Sequence, residues 1–270
     1  MTDNYSPPQG PLDVVHIDHQ VLVVNKPSGL LSVPGKGDHL SDCLLLRVQT
    51  AFPEALLVHR LDRDTSGLMV FALTHHAQRH IGLQFEKRQT KKVYVARVRG
   101  WLEPKAGTVD LPLIVDWPNR PRQKVDHVEG RQAITDWRVL RHVPGETRVR
   151  LMPRTGRSHQ LRVHMAELGH PILGDPFYAA GEALEFERLM LHAESLGFRH
   201  PDGGKGMRFK SAVLASKDCV ARSGSGLRWC RLWRLSPRPA LPWPQRESPR
   251  QSHPLRLDRN PSGSRSTRLQ

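Results

Sequence analysis

Along its first 210 positions the chain places its hydrophobic residues in short blocks, and the blocks predict strands interrupted by three helices. Val14–Val24 reads as a hairpin, with Asp18, His19 and Gln20 at the turn and Val21-Leu22-Val23-Val24 as a buried strand. Leu68–Leu73 is an unbroken apolar run of strand length, which suits a strand covered on both faces. Lys92–Val98 alternates, so Tyr94, Ala96 and Val98 share one face. Ile134–Leu140 and Arg148–Met152 are further strands. The helical period predicts helices over Leu40–Phe52, stopped by Pro53, and from about His75 to Glu86. A third runs from Ser158 to Leu168, with Ser158 expected to cap its start and Gly169 its end. Hairpins and helices mixed without a β-α-β rhythm predict the α+β class.

Beyond Lys210 the pattern stops. Residues 236–244 and 260–266 are rich in Pro, Ser and Arg with neither period, so residues 211–270 read as a disordered tail. The expected organisation is an extension over 1–13, one domain over 14–210 and this tail. Composition sharpens that division. The net charge is +15, but residues 211–270 hold 12 Lys/Arg against 3 Asp/Glu, leaving 29 against 23 in the body. A modestly basic body suits an enzyme acting on nucleic acid. No apolar run approaches the ~20 residues of a membrane span. The N-terminus lacks the regions of a signal peptide, so a cytoplasmic location is expected. Three cysteines, Cys43, Cys219 and Cys230, form neither a disulfide framework nor a metal knuckle. His159, His164 and His170 have no acidic or Cys companions at zinc spacing, so no metal is expected.

The densest chemistry lies in His59-Arg60-Leu61-Asp62-Arg63-Asp64-Thr65-Ser66-Gly67, directly before the apolar run at Leu68. A carboxylate set between two arginines, at the mouth of a stiff strand, is held in place with its charged form favoured. The plainer reading is an Asp that caps a turn. Five other segments weigh against it: Asn25-Lys26-Pro27-Ser28-Gly29-Leu30, Lys91-Lys92-Val93-Tyr94-Val95-Ala96, Gly156-Arg157-Ser158-His159-Gln160-Leu161-Arg162-Val163-His164, His170-Pro171-Ile172-Leu173-Gly174-Asp175 and Leu191-His192-Ala193. Together and in this order they resemble the motifs of the RluA family of RNA pseudouridine synthases, over roughly residues 14–210. The short stretch before the first strand and the segment Asp116–Pro121 look most like the dual-specificity member that gives the family its name.

The resemblance implies a mixed, largely antiparallel sheet with flanking helices and a central RNA-binding cleft. It also implies an isomerase that needs no cofactor: the N1–C1′ bond of a uridine breaks, the base turns and C5 takes its place. Asp62 would be the nucleophile, or the base that leads to a glycal. Tyr94 would stack on the uracil and assist removal of the C5 proton, where a lone Tyr would otherwise be a core aromatic. Arg162 would pair with Asp62 and keep it charged, with His159 on the same helical face. Arg60 would fill the gap left by a flipped base or grip the neighbouring phosphate. Arg157, Lys91 and Lys92, with Lys87 and Arg88 beside them, and Arg120 and Arg122, with Lys124, are expected phosphate contacts, although such charge runs are commonly just solvated faces. Only about a dozen residues precede the first strand, so recognition is expected from the catalytic domain and a compact RNA stem-loop. The implied substrates are a large-subunit (23S) rRNA hairpin and tRNA anticodon arms, bound by a monomer. Two departures stand out: Ala179 replaces a common Gly, and the chain after Lys210 is either a true basic tail or an altered reading frame. The rivals are a glycosidase using Asp62 and Asp64, and a non-catalytic RNA-binding protein. The first is disfavoured because carboxylates two residues apart suit a turn, the second because binding alone does not need Asp, Tyr and Arg motifs together.

Overall fold

Val21 to Val24 offer no polar side, and all four are fully buried. They form β2 (Val21–Lys26), inside a sheet that the computed structural model describes for residues 5–211. Residues from 212 onward, with Cys219, Cys230 and the expected tail, lie outside the described residues.

The strands are β1 (Asp13–Ile17), β2, β3 (Leu56–Leu57), β4 (Ser66–Ala72), β5 (Lys91–Arg99), β6 (Ala106–Asp110), β7 (Leu113–Val115), β8 (Gln123–Val125), β9 (Ile134–Val143), β10 (Glu146–Pro153), β11 (Leu191–Arg199) and β12 (Gly206–Lys210). The main sheet runs β1-β2-β4-β11-β5-β10-β9-β6, with β12 beside β11 and β3 beside β4, while β7 and β8 form a separate ribbon. Among the described strands every pairing is antiparallel except that of β4 with β11. There Ser66 meets His192 and Gly67 meets Ala193. Gly67 has φ 118, and a Cβ on it would lie 2.5 Å from the Ala193 backbone nitrogen. Only glycine permits this junction, and the junction anchors the loop that carries Asp62.

Among the described residues three α-helices pack on the sheet: α1 (Leu44–Ala51), α2 (His75–Glu86) and α3 (Gln160–Glu167). α2 matches its expected bounds and is capped by the Thr74 hydroxyl, which accepts from the Ala77 amide. Its Ile81 joins Val21, Val23, Leu68, Val70, Leu196 and Phe198 in one core. α1 is shorter than the apolar period implied, because Asp38–Leu40 forms a separate 3-10 turn and Cys43, not Leu40, precedes the helix. α3 requires a correction. Ser158 does not cap it: His159 adopts a left-handed backbone with φ 52, so regular helix begins only at Gln160. The Gln160 side chain closes the turn instead, accepting from the Arg157 amide at 3.0 Å.

Two apolar cores lie on either side of Tyr94. One joins Ala96, Val98, Val149 and Leu151 to Leu161 and Met165 of α3; the other joins Leu22, Val24, Met69 and Phe71 to Leu44 and Val48 of α1. Tyr94 packs against both. The expected extension is no loose leader where it is described. The Tyr5 hydroxyl donates to the Asp42 carbonyl at 2.8 Å, and Arg47 donates to the Pro8 carbonyl at 2.8 Å.

Candidate active site

Asp62 sits in the loop between β3 and β4, and that loop is held from beneath. Lys26, only 1% exposed, donates from Nζ to the carbonyls of Pro27 (2.9 Å), Leu30 (2.6 Å) and Arg63 (2.7 Å). Burial pushes its ammonium down to about 7, with the carboxylates of Asp64 and Asp62 acting the other way. Three carbonyl acceptors call for three donors, so the geometry suits the charged form. Ser28 donates to the Asp64 carbonyl at 2.6 Å and Ser32 to that of Leu61 at 2.7 Å. Lys26, Ser28 and Ser32 therefore clamp the backbone on both sides of Asp62.

Arg162 comes from the first turn of α3, with its side chain 2% exposed. It makes a two-pronged pair with Asp175, Nε to Oδ2 at 2.7 Å and Nη2 to Oδ1 at 2.6 Å, and its Nη1 reaches to 3.6 Å of Asp62 Oδ2. The guanidinium thus spans two carboxylates, one sealed and one at the cleft. Burial alone would lower its pKa, but Asp175 and Asp62 raise it. Asp175 Oδ1 also accepts the amides of Phe177 (2.9 Å) and Tyr178 (3.2 Å). Both rings lie against Arg162, with its Cζ 5.1 and 5.3 Å from their centroids. The Tyr178 hydroxyl is 2.8 Å from His159 Nδ1 and accepts the Gln123 amide at 2.7 Å. Burial pushes its phenol up to about 12.

Tyr94 faces the same space from β5. Burial, reinforced by the nearby Asp62 charge, raises its phenol well above the ordinary value and keeps it neutral. Lys92, on the same face two residues earlier, donates to the Thr155 carbonyl at 3.1 Å, and burial pushes its ammonium down to about 8. His59 stacks on Phe85 with centroids 4.5 Å apart and accepts the Val70 amide at 3.1 Å. Burial holds it neutral, down to about 3. These groups line a cleft of about 300 Å³, with Arg60, Asp62, Arg157, His159 and Arg162 along its walls. Among the described residues no group of His, Cys, Asp or Glu is arranged to hold a metal ion.

A family model described as RNA pseudouridylate synthase matches residues 20–167. The dual-specificity RNA pseudouridine synthase RluA of Escherichia coli K12 is 54% identical over 212 residues, 77% of this chain and 97% of that protein. The chain belongs to the RNA pseudouridylate synthase family. RluA of Vibrio vulnificus is 53% identical, over 73% of this chain and 82% of that one. Among solved structures, human RNA pseudouridylate synthase domain containing 1 matches with TM-score 0.64 and 30% identity, over 77% of this chain and 86% of that one. The domain containing 4 matches with TM-score 0.59 and 26% identity, over 74% and 88%.

Within this pseudouridylate synthase the expected site residues fall into two groups. Asp62, Tyr94, Arg162, Arg60, Lys92, Arg157 and His159 line one cleft. His159 reaches it from the left-handed turn before α3, where a shared helical face was expected. Lys91, Arg120 and Arg122 do not line it. Lys91 is exposed on the other face of β5. Arg120 lies 4.5 Å over the exposed Trp117 ring, and Arg122 lies 5.4 Å over Tyr178, which ties the β7–β8 region to His159. Lys26, Asp175 and Tyr178 had no assigned role. Lys26 and Asp175 stood within quoted motifs, but their partners lie far away along the chain.

Proposed function

We propose that this chain converts uridine to pseudouridine in the loops of compact RNA stem-loops, in a large-subunit rRNA hairpin and in tRNA anticodon arms. The two-substrate reading is supported by the relatives named dual-specificity RNA pseudouridine synthases, which match over nearly their whole length. One observation carries the chemistry: Asp62 Oδ2 stands 3.6 Å from the buried Arg162 guanidinium, beside Tyr94, in a cleft large enough for one flipped base. Asp62 acts at the ribose as the N1–C1′ bond breaks. Arg162, itself anchored by Asp175, holds that carboxylate ionised and aimed. Tyr94 supports the uracil ring while it turns, and its neutral hydroxyl relays the proton that leaves C5 once C5–C1′ has formed. N1 gains a proton, so the net reaction is an isomerisation.

Arg60, exposed at the cleft mouth, occupies the space vacated by the flipped base or holds the adjoining phosphate. Arg120, Arg122 and Arg157 contact the phosphates of the stem. In this reading the protein acts as a monomer, in the cytoplasm where rRNA and tRNA are found. The test is a pseudouridine map of total RNA from cells with the gene, without it, and with an Asp62→Ala version restored. Loss of one rRNA site and a few tRNA sites, restored by the wild-type chain but not by Asp62→Ala, is the expected result. No change at any site on deletion would sink the reading.

A further inference from the structure

The strands that present Tyr94 to the cleft turn their other face outward, and that face is built of arginine. Residues directly opposite across antiparallel strands lie on one side of the sheet. The register sets Arg97 of β5 beside Arg148 of β10, and Arg148 beside Arg141 of β9. In the next row Val95 stands beside Arg150, and Arg150 beside Arg138. Tyr94 pairs with Leu151 in the buried layer on the opposite side. Neighbouring strands are about 4.8 Å apart, so these arginines leave the sheet side by side, and like charges facing across strands destabilise a sheet.

Acidic residues offset only part of this charge. Glu146 grips Arg97 at 2.6 Å, and Glu194 approaches Arg150 at 3.5 Å. Asp136, further along β9, is taken by Arg154 at 2.7 Å. Arg99, Arg138 and Arg141 are exposed and have no ion pair among the described residues. Residues 211–270 are themselves strongly basic, with 12 Lys/Arg against 3 Asp/Glu. A surplus of planar, forked cations in rows is matched by a polyanion with regularly spaced oxyanions.

We propose that this arginine face is a second RNA-binding surface, which holds the phosphate backbone of RNA extending beyond the modified stem-loop. It rests on the reading that the substrate is structured RNA. A short stem-loop seated at Tyr94 lies on the other side of the sheet, so only a longer RNA reaches both surfaces.

The experiment uses the full chain with Arg138→Glu and Arg141→Glu together. Binding to two RNAs is measured between 50 and 200 mM salt, roughly the range over which phosphate contacts are read. One RNA is the stem-loop alone; the other carries the same stem-loop between long duplex flanks. For the extended RNA the expected result is an affinity loss of tenfold or more at low salt. Its slope of log K against log salt should also become shallower by about two. Affinity and turnover on the stem-loop alone stay within twofold, which keeps this test separate from that of the modification reaction. A neutral pair, Arg138→Gln and Arg141→Gln, gives an intermediate loss with no fall in Tm. Equal losses on both RNAs, or no loss on the extended one, would overturn the proposal. So would a variant that loses polyglutamate binding while keeping its grip on the extended RNA, since the face would then be a site for an acidic protein.

Discussion

A single guanidinium carries the site at the scale of residues. Arg162 is sealed from solvent and divided between Asp175, which is 0% exposed, and Asp62, which is 25% exposed. The division assigns different tasks to the two carboxylates. Asp175 satisfies a buried charge, and Asp62 lines the cleft. Asp175→Asn therefore strips a buried cation of its main partner. A loss of roughly 3–5 kcal/mol in unfolding free energy is expected, readable as a lower urea midpoint. Asp62→Ala leaves the Arg162–Asp175 pair intact and should cost little stability, so its lost activity reports chemistry and not folding. Tyr94 separates two further effects. Burial and the Asp62 charge keep its hydroxyl protonated, so the proposed role is a relay and not a standing base. Tyr94→Phe retains the ring and should bind RNA normally, while single-turnover rates fall by about 10²- to 10⁴-fold, the usual worth of a positioned proton-transfer group. A loss under threefold would remove the hydroxyl from the mechanism and leave Tyr94 as a platform only.

At the scale of elements, strand alternation does what the charge run alone did not reveal. Lys91 and Lys92 read as one basic cluster, yet on β5 they point to opposite faces, and only Lys92 enters the cleft. Its ammonium, pushed from 10.5 down to about 8, is charged below that pH and lost above it. KM for RNA should rise as pH climbs from 7 through 9, and Lys92→Met should start high and stay flat across that range. Unfolding does not mimic this effect. Between about 8 and 10.5 this lysine binds more protons unfolded than folded, so its own contribution to stability rises with pH. The period-2 and period-3.6 patterns located β2, β4, β5, β9, β10 and α2 because each buries an apolar face. β11 escaped them: its register breaks between His192 and Ser195, which moves the apolar positions from Leu191 and Ala193 to Leu196 and Phe198. The start of α3 escaped because a histidine, not a glycine, takes the left-handed backbone there. Asp62, Tyr94 and Arg162 were legible as motif residues. The clamp of Lys26 on the Arg63 carbonyl, 37 positions away, was not, since neither its partner nor its burial leaves a local signal.

At the scale of the whole molecule, function and charge are divided unequally along the chain. The E. coli relative matches over 97% of its own length but 77% of this chain, so close to a quarter of the sequence has no counterpart in it. Every residue of the cleft and every strand of the described sheet lies before residue 212. The 12 Lys/Arg and 3 Asp/Glu of residues 211–270 carry more net positive charge than the 29 and 23 of the preceding body. Charge of that kind acts on any RNA through counterion release, whereas the proposed positioning at Asp62 would act only on a uridine that enters the cleft. A chain ending at Ser211 should therefore keep turnover on a stem-loop substrate within about twofold. It should lose affinity for unrelated RNA at 50 mM salt, and the salt slope for that RNA should become shallower by several units if most of the basic side chains meet phosphates, by roughly 0.7–0.9 for each contact removed. Measuring kcat/KM on the stem-loop and salt-dependent binding to a scrambled RNA, for both lengths, separates the two quantities. If truncation instead abolished turnover while leaving non-specific binding untouched, residues 212–270 would belong to the catalytic body, and the boundary drawn from the loss of hydrophobic period at Lys210 would be misplaced.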